Sequence, residues 1–253
     1  MLKANDYKSM IKLLQKANYT VFFTGAGISV ESGIPPFRGE DGLWQKYNPV
    51  FLNTTYFKEN PKESWKLIKE IFYDFFGKAK PNTAHYIIAK WEQKGLVQSI
   101  ITQNIDNLHQ EAGSEKVIEF HGTSQTVTCI ACGRQYDSSR FLNMFPPSCP
   151  HCKGLLKPDF VFFNEPIPSD TLRKSKEAAT KADLFILVGT TGEIMPASRL
   201  PYLAEEYNAN LVEINIQPSK YTNTITDIFL KGKATRVLTE LNNFYNHQLN
   251  SKE

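Results

Sequence analysis

YTVFFTGAGISVESGIPPFRGEDGLW, residues 19 to 44, opens on the apolar run Val21-Phe22-Phe23. A short continuous run of this kind suits a parallel strand buried on both faces. It stops abruptly at Thr24-Gly25-Ala26-Gly27. Two glycines one residue apart let the backbone turn sharply and bring its N–H groups close to a bound group. At the start of a following helix those N–H groups and the helix dipole favour phosphate, the physical content of a dinucleotide fingerprint. Val30 stands where that fingerprint has its third glycine or alanine. Taken alone, small residues here are as well explained by the turn itself.

Working outward, the helical spacing of Tyr7, Met10, Ile11, Leu14 and Ala17 predicts a helix over Asp6 to Asn18 feeding this strand. Downstream, a helix is predicted from about Pro61 to Gly77, and Asn82 caps another that buries Ile87, Ile88 and Trp91. Extended segments are predicted at Val97–Thr102, Lys116–Phe120, Phe160–Phe163, Leu184–Val188, Leu211–Ile214 and Ile228–Leu230. Helices are predicted at Ser169–Ala182 and Pro196–Asn208, with an amphipathic one at the C-terminus. Apolar strands alternating with helices predict an α/β fold built on a doubly wound parallel sheet, which binds ligands at the carboxyl ends of its strands.

The 29 basic and 26 acidic residues of this 253-residue chain nearly balance, so the net charge of +3, unless locally clustered, argues against strong nonspecific nucleic-acid binding, and no specific nucleic-acid partner is expected. No stretch reaches the roughly eighteen apolar residues of a membrane span, and the N-terminus carries no secretory core. The expected setting is cytoplasmic, without a membrane partner. All four cysteines lie between Cys129 and Cys152. Cys129-x-x-Cys132 and Cys149-x-x-Cys152, sixteen residues apart, have the spacing of a four-thiolate zinc site. Redox thiols or core cysteines are the alternatives. Four thiolates close the shell, so the metal would be structural and His151, inside the second pair, a bystander.

The longer string is more specific than the two glycines. Gly25-Ala26-Gly27-Ile28-Ser29, Glu31-Ser32-Gly33-Ile34-Pro35 and Phe37-Arg38-Gly39 together resemble the opening motif of the sirtuins, NAD-dependent protein deacylases. Thr102-Gln103-Asn104-Ile105-Asp106 is similar to a second sirtuin string. By themselves Asn104 and Asp106 read as a helix cap. Asn107 and Asn164 stand where the family commonly has glycine; asparagine tolerates left-handed backbone better than most residues. The resemblance spans roughly residues 7 to 240. It implies a Rossmann-like domain of residues 1–38, 82–122 and 160–253. A helical insertion, 39–81, and a zinc ribbon, 123–159, would form the small domain, with NAD and acyl-lysine meeting in the cleft.

The site comes from the same resemblance. His121 would be the general base, with His109 left to a packed turn, and Asn104 would orient the ribose and its water. Gln103 would contact the ribose, Asp106 and Ile34 would hold the nicotinamide amide, Phe37 would screen the reactive carbon, and Arg38 would meet the phosphate side. Gly25, Ala26, Gly27, Ser29, Ile105, Gly189, Thr190, Thr191, Asn215, Ile216 and Ala234 would complete the NAD contacts. The substrate peptide would lie as an added strand along Val161, Phe162, Phe163, Asn164 and Glu165.

The implied reaction suits the chemistry of an amide. An amide oxygen is a poor nucleophile with no proton for a base to remove, so the electrophile must be made at the nicotinamide ribose. Nicotinamide leaves, the acyl oxygen attacks the sugar carbon, and His121 then deprotonates a ribose hydroxyl that attacks the trapped acyl carbon. The products are free lysine, nicotinamide and O-acyl-ADP-ribose. Sirtuins that remove succinyl or malonyl groups carry a Tyr-x-x-Arg pair beside the acyl pocket. Aligned on Trp65, its positions here hold Ile68 and Ile71, and no arginine occurs from Gly39 to Gly133. An apolar pocket, for acetyl and longer alkyl groups, is therefore expected. A mono-ADP-ribosyltransferase and a non-catalytic NAD-sensing module are the alternative classes.

Overall fold

The computed structural model describes residues 4–37, 39 and 42–250. Arg38, expected at the phosphate side, and the acidic Glu40 and Asp41 after it lie outside the described residues. Helix α1, Ala4–Lys16, leads into β1, Thr20–Thr24. Three short helices come next: α2, Leu43–Lys46; α3, Thr54–Glu59; and α4, Pro61–Ile68. Then come α5, Thr83–Gln93, β2, Ser99–Thr102, α6, Leu108–Glu111, and β3, Val117–Glu119. Strands β4, Gly122–Cys129, β5, Gln135–Asp137, and β6, Leu156–Phe160, carry the cysteines between them. The chain closes with α7, Ser169–Lys181, β7, Leu184–Val188, α8, Leu200–Glu206, β8, Asn210–Asn215, β9, Ile228–Lys231, and α9, Ala234–Asn250.

Six strands form one parallel sheet in the order β3-β2-β1-β7-β8-β9. Its central strands β1 and β7 are buried at every residue, as their unbroken apolar runs require. One face packs on α1, α5 and α9 through Ile11, Ile88, Trp91 and Leu238, and the other on α7 and α8 through Ala179 and Leu200, joined by Tyr221 from between β8 and β9. Each fully buried Leu, Ile or Phe contributes about 1.5–3 kcal/mol relative to exposure. The order steps outward from β1 in both directions, so the β1/β7 boundary is the switch point where such sheets open a crevice.

A separate three-stranded antiparallel sheet, β5-β4-β6, packs with α3 and α4 in a second core that includes Phe57, Trp65, Ile68, Phe72, Phe160 and Phe162. Trp65 is anchored there by donating its Nε1–H to Leu156 O at 2.8 Å. The single helix predicted over 61–77 is in fact three pieces. After α4, residues Lys69–Phe75 form a π-helical turn and Phe76–Lys78 a 3₁₀ turn. A π turn aligns residues five apart, and Lys69 Nζ meets Asp74 at 2.6 Å across that spacing. The wider turn also directs both Phe72 and Phe76 inward, their rings edge to face 5.4 Å apart. Periodicity of 3.6 and periodicity of 4.4 place the same apolar residues too similarly for sequence to separate them.

Candidate active site and metal centre

The loop after β1 departs from a dinucleotide fingerprint on its downstream side. No regular α-helix begins there; two 3₁₀ turns, Ala26–Ile28 and Val30–Ser32, do. The glycines serve a close approach of two loops. Gly25 N–H donates to Val188 O and Gly27 N–H to Gly189 O, at 3.0 and 2.9 Å. A Cβ on Gly27 would lie 2.5 Å from Gly189 Cα, and Gly189 itself sits at φ 62°. Val30, without a helix to pack into, is exposed.

Beneath this loop, polar contacts tie the carboxyl ends of four strands together, β1, β2, β7 and β8. Asn104 Nδ2 donates to Gly25 O and to Ser29 Oγ, at 3.2 and 3.1 Å, and Ser29 Oγ–H donates to Asp106 at 2.6 Å. Burial raises the Asp106 carboxyl pKa, while the Ser29 hydroxyl and the Leu108 N–H oppose the shift. Gln103 Nε2 donates to Thr190 Oγ1 at 3.1 Å, and Asn215 Nδ2 to Thr190 O at 2.9 Å. Asn107 holds φ 63° and Asn164 φ 69°, so both glycine-to-asparagine departures fall on left-handed backbone.

His121 comes directly after β3. Its Nδ1 lies 2.9 Å from Gln103 O. A carbonyl only accepts, so Nδ1 carries the proton and Nε2 keeps a lone pair. Burial lowers the pKa of the ring, and the Gln103 hydrogen bond partly offsets this. At neutral pH the imidazole is a base. Its own carbonyl accepts from Val161 N–H at 2.8 Å, which joins it to the segment 161–165. In that segment Phe162 is buried, Phe163 and Asn164 are exposed, and Phe163 N–H donates to Leu52 O.

Ile34 and Ile105 are buried in the second core, and Phe37 packs tilted against Trp44 with centroids 5.4 Å apart. At the opposite end, Thr191 and Ile216 are exposed and Ala234 opens α9. Glu31 accepts from Thr235 N–H and Oγ1, at 3.2 and 2.7 Å, which joins the first loop to that helix. Most of the described residues expected around NAD follow the carboxyl ends of β1, β2, β7 and β8 or open α9, whereas Ile34 and Phe37 lie with the second core. The braces are not visible in the sequence. Asn82, which reads there only as a cap, also donates to Ile28 O and Ser32 Oγ, at 2.8 and 3.0 Å. Nothing local in the sequence marks a cap that also reaches back fifty residues.

His109, expected in a packed turn, lies buried in the short helix α6, paired with His85 at 4.9 Å between centroids. His85 Nδ1 accepts from Asn82 N–H, and His109 Nε2 meets Thr24 Oγ1 at 3.0 Å, leaving His85 Nε2 and His109 Nδ1 without partners. Burial lowers both pKa values, that of His85 to about 4. Both rings are therefore neutral in the folded protein. Below an ordinary histidine pKa of about 6.5, the unfolded chain takes protons that the folded chain refuses, so stability falls with pH. His85 alone should account for a loss on the order of 3 kcal/mol between roughly pH 6.5 and 4. Denaturant midpoints at pH 7 and 5.5 check this: the acid-induced drop should shrink in His85→Gln, and an unchanged drop would refute the assignment.

The four cysteine sulfurs lie within 4.8 Å of one another. The pairs Cys129–Cys152 and Cys132–Cys149 are 3.5 and 3.8 Å apart, near the edge of about 3.8 Å of a zinc–thiolate tetrahedron. Each knuckle is turned by a left-handed residue, Gly133 at φ 69° and Lys153 at φ 62°. Tyr136 OH lies 3.2 Å from Cys149 Sγ. Four thiols so placed, with no disulfide, fit one Zn²⁺ with a closed shell, and His151 is not in the cluster. Among the described residues no helix is long and apolar enough to cross a membrane.

A family model described as the Sir2 family matches residues 25–196. The NAD-dependent protein deacylase of Pyrococcus furiosus is 46% identical over 237 residues, covering 91% of this chain and 94% of the relative. A solved Sir2–p53 peptide–NAD+ complex superposes with a TM-score of 0.87 at 34% identity, covering 94% of this chain and 97% of that one. Sir2Tm bound to a propionylated peptide gives 0.86 at 33% identity, with 94% and 97% covered.

Proposed function

The chain belongs to the Sir2 family, and from that premise we propose that it is an NAD-dependent protein deacylase. It transfers an acyl group from a lysine side chain to ADP-ribose and releases nicotinamide. The observation that carries this reading is His121, with Nε2 left basic and Nδ1 fixed on the carbonyl of Gln103, the residue next in sequence to Asn104 of the Asn104–Ser29–Asp106 chain. NAD, when bound, supplies the sugar carbon that accepts the acyl oxygen. His121 Nε2 takes the proton of a ribose hydroxyl. Asn104 and Gln103 orient the ribose, and Asp106 with Ile34 holds the carboxamide. Gly25, Ala26, Gly27, Ser29, Gly189, Thr190, Thr191, Asn215, Ile216 and Ala234 line the rest of the NAD site. The four cysteines hold a structural zinc that keeps the second core in place. Acyl-lysine peptides lie along residues 161–165. A non-catalytic NAD sensor would have no use for the fixed base.

The acyl pocket is read as apolar. Ile68 and Ile71, at the positions of the carboxylate-binding pair, are both buried among the aromatics of the second core. Lys69, the cation beside them in sequence, is held by Asp74. A succinyl carboxylate would enter without a partner, a cost of several kcal/mol. The panel that checks this is kcat/KM for acetyl-, myristoyl- and succinyl-lysine forms of one peptide. Acetyl and myristoyl should each exceed succinyl by at least about 10-fold. A clear succinyl preference would show the pocket to be wrongly assigned.

A further inference from the structure

Lys157, on β6, is a half-buried cation with every proton engaged. Its Nζ donates to Pro158 O, Phe160 O and Glu165 Oε2, at 3.1, 3.0 and 2.9 Å, and stands 4.1 Å from the centre of the Phe162 ring. The same Glu165 oxygen accepts from Phe162 N–H at 2.8 Å. The side chain expected to touch substrate is therefore engaged within its own segment. With Val161 N–H on His121 O and Phe163 N–H on Leu52 O, all three amide donors of 161–163 are taken by the protein. Among the described residues none hydrogen-bonds Asn164, which is exposed and at φ 69°. The segment thus ends in one open rung, set by the clasp that folds it back on Lys157.

We infer that Lys157 is a positioning residue for the acyl-peptide. Its ammonium, clasped to Glu165, fixes the height and register at which Asn164 offers its main chain to the substrate strand. The inference rests on the deacylase reading, because it assumes that the occupant of this edge is a peptide. The physical reason is specific to charge. A methionine keeps the stem that packs on Phe162 but leaves the partly buried Glu165 with only the Phe162 N–H and no ion-pair partner, and the Pro158 and Phe160 carbonyls lose the hydrogen bonds that Lys157 donates. Arginine keeps the charge.

Steady-state kinetics with NAD and an acetyl-lysine peptide, combined with amide hydrogen exchange over residues 157–166, test the idea on the whole protein. Lys157→Met should raise KM for the peptide by about tenfold or more, above any fall in kcat, with KM for NAD little changed. Exchange over 157–166 should quicken while protection in β1 and β7 stays. Lys157→Arg should recover most of both. Wild-type peptide KM and wild-type exchange in the Met variant would overturn the inference. So would equal rises in KM for peptide and NAD, the mark of general loosening. A wild type that turns over no acyl-peptide would bring down the deacylase reading instead, and the exchange arm would still decide whether Lys157 holds the strand.

Discussion

Alanine in place of His121 should cut deacylation by about 10²–10⁴-fold, the range for loss of a general base. Nicotinamide exchange, which precedes the proton transfer, should survive better. That split is the informative part, because a damaged NAD site would lose both together. The pH profile carries a second signature. As the proposed base, the ring would act in its neutral form, and burial lowers its pKa. Deacylation should therefore hold as pH falls through the ordinary histidine value of about 6.5 and be lost only in more acid solution. An acid limb at or above that value, or equal loss of exchange and deacylation in a folded variant that binds NAD, would argue for another role.

Loss of the metal should have the other large effect. Structural zinc contributes roughly 10–16 kcal/mol of apparent binding energy in small peptides, comparable to a typical domain's whole stability. Cys129→Ser or Cys149→Ser removes a thiolate from a closed shell with no spare ligand in the cluster. The second core would then lose the strands that pack Phe160 and Phe162 against Trp65 and Phe57. Metal analysis should find one zinc per chain in the wild type and much less in either variant. Activity should disappear with it, and protease should cut the 123–159 segment first. An active, zinc-free protein would refute the structural role.

Much of this was legible because its signals are short-range. Unbroken apolar runs marked β1 and β7, an apolar run interrupted only by Glu213 marked β8, and the paired Cys-x-x-Cys spacing marked a cluster whose sulfurs converge. The site residues were legible only through ordered resemblance, since a turn after a strand looks alike whether or not it binds anything. What escaped was long-range or degenerate. Gly25 and Gly27 suggested phosphate approach, but in the fold they clear space for Gly189, more than 160 residues on. Asn82, Glu31 and Lys157 are ordinary caps and surface charges in sequence, and become braces only when distant loops meet them. The π turn at Lys69–Phe75 was hidden because its apolar spacing mimics an α-helix.

Mass spectrometry of the products formed from NAD and an acetyl-lysine peptide tests the deacylase assignment most directly. Acyl transfer to ADP-ribose predicts nicotinamide, O-acetyl-ADP-ribose and deacetylated peptide in equal amounts. Free nicotinamide with the ADP-ribose attached to protein or peptide would identify a mono-ADP-ribosyltransferase instead and contradict the assignment.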